Sequence, residues 1–131
     1  MMTNKRIETD AAPAAIGPYC QAVAVEDWIF CSGQLALDPK SGEMVGAGDV
    51  AEEARQVLRN LDAVLQEAGA SRGDVVKATV YLTDMGEFSK INEVYSEFFA
   101  GLVPPARATV EVAALPKGAK VEIDFTARRA S

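Results

Sequence analysis

The chain is 131 residues long, 49% apolar and 24% charged, which predicts one globular domain spanning 1–131 with an apolar core of its own. A net charge of −6 argues against an electrostatic grip on nucleic acid, and no apolar run approaches the ~20 residues a membrane helix needs. The absence of histidine excludes Ser-His-Asp and Cys-His nucleophiles, His-containing zinc sites and histidine-based ribonuclease chemistry together.

Met1 to Asp10 is polar and lacks the apolar segment of a signal peptide, so a cytoplasmic protein is expected. Residues 19–25 and 28–35 alternate apolar and polar positions around Glu26-Asp27 and predict a hairpin. Cys20 and Cys31 then lie diagonally across it, about 7–8 Å apart, too far for a good disulfide; free buried thiols are expected. After a Gly-containing loop over 42–48, residues 49–68 carry Val50, Ala54, Val57, Leu58, Leu61, Val64 and Leu65 on one helical stripe. Asp49 with Glu52 marks the start of that helix, and Gly69 its end. Residues 74–82 are rich in β-branched side chains and predict a strand. A second helix over 86–100 buries Phe88, Ile91, Tyr95, Phe98 and Phe99, with Asp84 and Glu87 as its start signal and Gly101 as its stop. A short rigid connection over 101–105 leads to strands 107–114 and 119–128, read as a closing hairpin.

The order is β-β-α-β-α-β-β, an α+β arrangement whose two amphipathic helices cover one face of the sheet. The other face carries Trp28 and Phe30 and predicts contact with another copy of the chain. By alternation, Arg107, Thr109 and Glu111, with Lys120, Glu122 and Asp124, point away from the helices on the closing hairpin.

In a chain without histidine, chemistry falls to carboxylate, arginine, hydroxyl or backbone groups. Arg107 follows Pro104-Pro105-Ala106, which fixes where its planar, permanently charged fork begins, and Glu122 is an acceptor or base near it. Arg107 reads equally as a surface ion pair with an acid of the next strand, and Glu122 as a solvated strand residue. Gly17-Pro18-Tyr19 is a turn before a half-buried Tyr19. Ser32-Gly33 offers a hydroxyl and an approachable backbone amide to an anion, or simply a strand bulge. Asn92, between Phe88 and Tyr95, fits a ligand contact or a backbone cap.

Taken together, segments 14–19 (AAIGPY), 32–34 (SGQ), Asn60, 76–81 (VKATVY), 92–95 (NEVY), 105–107 (PAR) and 121–123 (VEI) resemble the RidA (YjgF-type) reactive-intermediate deaminases, in order and from about Ile7 to Arg128. The resemblance implies a chorismate-mutase-like fold and a homotrimer with clefts between subunits. It implies hydrolysis of 2-imino or enamine acids, such as 2-aminoacrylate, to 2-oxo acids and ammonia, with no metal or cofactor. Arg107 would bind the substrate carboxylate and Glu122 position or activate water, while Tyr19, Ser32, Gly33, Asn92 and Thr109 line the pocket. Two features depart from the family pattern: Thr109 stands where archetypal members have cysteine, and the loop 100–104 is short, with Pro104 where an aromatic is common. Both bear on substrate choice. Competing readings are the aminoacrylate-peracid branch of pyrimidine catabolism, a non-catalytic trimer sensing 2-oxo acids through Arg107, and an RNA-cleaving protein. Retention of both Arg107 and Glu122 favours catalysis over sensing.

Overall fold

The computed structural model describes residues 3–130. Six strands form one sheet in the order β1-β2-β3-β6-β4-β5. They are β1 (Lys5–Ile7), β2 (Ala22–Val25), β3 (Trp28–Cys31), β4 (Val75–Leu82), β5 (Ala106–Glu111) and β6 (Val121–Arg128), with helices α1 (Val50–Glu67) and α2 (Phe88–Phe98). This is the expected mixed α+β arrangement, with one more edge strand, β1, paired antiparallel to β2. At three residues, β1 is too short to show a periodicity.

The predicted hairpin is β2–β3, with Val25 opposite Trp28 and Glu26 at a φ of 55°, the left-handed turn conformation that tight hairpins need. Both cysteines are free and diagonal as expected; Cys31 is buried, Cys20 only half-buried.

In α1 the stripe is buried as the periodicity requires, and Asp49 accepts hydrogen bonds from the Ala51 and Glu52 amides at 3.0 and 3.3 Å. Gly69, at a φ of 80°, closes it with bonds from the Gly69 amide to the Gln66 carbonyl and from the Ala70 amide to the Leu65 carbonyl. The start signal at Asp84 caps a 3-10 turn, Met85–Glu87, that leads into α2. The rings of Phe98 and Phe99 meet Phe125 of the sheet at centroid distances of 6.1 and 5.8 Å, and Phe99 meets both Phe98 and Tyr95 at 4.9 Å.

The closing hairpin does not form. β6 lies between β3 and β4, antiparallel to both, and β5 runs parallel to β4 on its far side. The physical reason is the crossover: α2 carries the chain from the end of β4 back to the start of β5, so the two strands run the same way. The central slot then goes to β6, whose Val121, Ile123, Phe125 and Ala127 are fully buried under the helices. The other face of the sheet bears Val23, Val25, Trp28, Phe30, Tyr81, Ala108 and Val110, and no helix covers it.

Candidate functional site

Arg107 sits on edge strand β5 opposite Ala78, and Thr109 opposite Val80, both buried beneath the helices. Arg107, Thr109 and Glu111 therefore stand on the helix side of the sheet, not on the outer face that simple alternation assigned them. At the edge, neither face of β5 is fully covered, so burial does not dictate which residues point inward. The outer face takes Ala108 and Val110 instead. On β6 the assignment holds: Glu122 and Asp124 pair with Tyr81 and Thr79 on the outer face.

Arg107 is cradled by one face of α2. Its Nη1 donates to Asn92 Oδ1 at 2.8 Å, and its guanidinium carbon lies 4.7 Å from the Tyr95 ring centre and 5.4 Å from that of Phe88. Phe88, Asn92 and Tyr95 share this face through helical spacing. No carboxylate among the described residues pairs with Arg107, so the surface ion pair does not occur. The exposed cation opens onto a recess of about 510 Å³ lined also by Ser96, Phe99, Pro104 and Pro105. The Tyr95 hydroxyl is buried there without a hydrogen-bond partner.

Glu122 opens onto a different recess, of about 680 Å³, with Tyr19, Ser32, Gly33 and Gln34. Burial, reinforced by the Asp124 carboxylate, pushes its pKa above the ordinary glutamate value. The turn at 31–33 makes room for it. β3 pairs Phe30 with Thr126, yet Gln34 bridges Ile123, so one extra residue sits on the β3 side: a bulge. A Cβ on Gly33 would overlap the Glu122 carboxylate, lying 2.8 Å from its Cδ and 3.1 Å from its Cγ. Ser32 anchors the bulge, its hydroxyl donating to the Cys20 carbonyl at 2.6 Å and leaving only acceptor pairs for a ligand. The Tyr19 hydroxyl accepts from the Ile16 amide at 3.4 Å, and the ring is exposed.

The predicted residues thus fall into two sets. Arg107 and Asn92 form one; Tyr19, Ser32, Gly33 and Glu122 form the other; Thr109 lines neither recess. Sequence reasoning missed the aromatic cradle, because Phe88 and Tyr95 fit the apolar stripe of α2, and it missed Ile16, Pro116 and Lys117 as walls of the Glu122 recess. Lys117, at a φ of 60°, lies in a left-handed turn that only its Pro-Lys-Gly setting hints at.

A small α+β sheet with two helices on one side and an unpaired arginine at its edge defines the class of protein. The chain belongs to the YjgF/RidA family: the family model described as Endoribonuclease L-PSP matches residues 9–129. It is 53% identical over 124 residues to the 2-iminobutanoate/2-iminopropanoate deaminase of Mus musculus, covering 95% of this chain and 90% of that one. Among solved structures it resembles the YjgF gene product of E. coli (TM-score 0.92, 46% identity, 96% of this chain and 99% of that one). It likewise resembles E. coli TdcF with bound serine (TM-score 0.91, 45% identity, 96% and 99%).

Proposed function

We propose that this chain hydrolyses reactive 2-imino and enamine acids to 2-oxo acids and ammonia, in cytoplasmic homotrimers whose clefts each join the Arg107 recess of one copy to the Glu122 recess of the next. The observation that carries this reading is the division of the site: a carboxylate-binding cation and a raised-pKa carboxylate stand on opposite faces of one sheet, each in a half-open recess. A family of relatives named 2-iminobutanoate/2-iminopropanoate deaminase, at about half identity, supports the same chemistry.

The roles follow from the groups. With Nη1 held by Asn92, the Nη2 and Nε side of the Arg107 fork remains for a bidentate grip on the substrate carboxylate, each charge-assisted bond being worth about 1.5–3 kcal/mol. A protonated imine is electrophilic already, so orientation and a base suffice. Water adds to C2 while Glu122 takes its proton. The resulting amino alcohol regains that proton on nitrogen, the C–N bond breaks to release ammonia, and the hydroxyl proton passes to the departing ammonia, giving ammonium, as the 2-oxo group forms. A raised pKa brings Glu122 nearer to neutrality, where a base that must also return a proton works best.

RNA cleavage, which the family description names, fits poorly with a net charge of −6, no histidine and one exposed arginine at the site. The test couples a serine or threonine dehydratase to the protein and traps residual imine with semicarbazide. Wild type is expected to lower the trapped imine and Arg107→Ala to restore it. Unchanged trapping with wild type, alongside a melting temperature raised by a 2-oxo acid, identifies a sensor instead.

A further inference from the structure

Four polar side chains are buried among the described residues: Gln21, Gln34, Glu53 and Asn60, at 3%, 6%, 2% and 1% exposure. Gln34 lines the Glu122 recess itself, as does Gln21. Gln21, Glu53 and Asn60 each hold the backbone of a different wall of that recess. Gln21 accepts from the Thr9 amide at 2.7 Å, and its amide nitrogen lies 3.0, 3.3 and 2.7 Å from the Thr9, Ala12 and Pro13 carbonyls, fixing the segment that runs into 13–16. Asn60, on α1, donates to the Leu35 and Leu37 carbonyls at 3.0 Å each, and Gln56 donates to its oxygen at 2.9 Å, orienting the amide. Glu53, also on α1, accepts from the Lys120 amide at 3.0 Å, between the Pro116-Lys117 wall and Glu122.

We propose that Gln21, Glu53 and Asn60 are positioning residues for the reaction, together fixing the three loops that set where the Glu122 carboxylate and its water stand. All three walls are irregular backbone with no strand partner along most of their length, so the core must supply their hydrogen bonds through side chains. None of the three touches the Arg107 recess. That separation predicts a specific kinetic pattern: loosening a wall lowers kcat and leaves the carboxylate grip, hence KM, alone.

The inference rests on the imine-deaminase reading, and the experiment separates the two. Gln21→Met, Asn60→Leu and Glu53→Leu remove the tethers at similar volume, while Glu53→Gln keeps an acceptor for the Lys120 amide. Each tether variant is expected to lose about tenfold or more in kcat, part of the roughly 10²–10⁴ a positioned base contributes, with KM within about threefold of wild type. The alkaline-rising limb of the pH–rate profile should move with Glu122's altered surroundings, and Glu53→Gln should restore wild-type kcat. Lowered melting temperature with unchanged kcat and pH limb would overturn the proposal and leave a merely structural role. If wild type proves inactive, amide exchange still decides the tethers: Glu53→Leu must speed exchange across 116–122, and no change there sinks the idea. Should one variant fail to fold, the others test separate walls.

Discussion

Arg107 is held by Asn92 and two rings but neutralised by no carboxylate among the described residues, whereas Glu122 is burdened by burial and by Asp124. Because the folded-state pKa of Glu122 is raised, its favourable contribution to stability is complete below the ordinary glutamate value and is lost as pH rises through the raised one. Ionisation therefore works against the fold and, in the proposed mechanism, for the reaction. Glu122→Gln is expected to melt at or above the wild-type temperature at neutral pH, yet to lose about 10²–10⁴-fold in turnover together with the acid limb of the pH–rate profile. Gly33→Ala should reach a similar activity loss by another route, since its methyl displaces the carboxylate. Steady-state rates from pH 5 to 9, set beside thermal melts, check both, and undiminished turnover in Glu122→Gln would remove that residue from the mechanism. Cys31 takes no part: burial, with a lesser push from Asp124, raises its pKa to about 12 and keeps it a thiol.

The elements follow from local signals of unequal strength. Asp49 satisfies two amides at the head of α1, so Asp49→Ala should destabilise the fold by about 1 kcal/mol in urea titration. Helix stripes, the β2–β3 turn and the stop at Gly69 were legible because each is encoded within a few residues. Arg107 and Glu122 also stand out in the sequence by their chemistry, and the structure opens each onto a recess. What was not legible is strand order. Residues 107–114 and 119–128 alternate like a hairpin, and nothing local records that α2 has already placed β5 beside β4. The face of Arg107 was misread for a related reason: alternation fixes which residues share a side, but an edge strand only partly covered on either face carries too weak a burial signal to say which side it is. The aromatic cradle was hidden inside an ordinary core stripe.

For the whole molecule, the proposed joining of two recesses on opposite faces makes a sharp demand on assembly. If clefts join neighbouring copies, neither Arg107→Ala nor Glu122→Gln homotrimers turn over, but mixed trimers contain clefts in which both residues are intact. Unfolding the two variants together and refolding them should recover about a quarter of wild-type activity for random equal mixing around a closed ring. No recovery, with mixed trimers verified by mass, would mean that both groups come from one chain. The uncovered sheet face, with Phe30 50% and Trp28 42% exposed, supplies an apolar surface for such packing.

The position of β6 has a consequence for how the protein is made. The strand that comes last in sequence among the six occupies the middle of the sheet, between β3 and β4. Until residues 121–128 are free, β1–β2–β3 and β4–β5 are two separate ribbons, each with an apolar face and an unpaired edge where β6 belongs. Closure of the sheet is thereby deferred until residues 121–128 have been made. A chain cut short before Val121 presents two open strand edges at once, the geometry that favours pairing with another chain over pairing with itself.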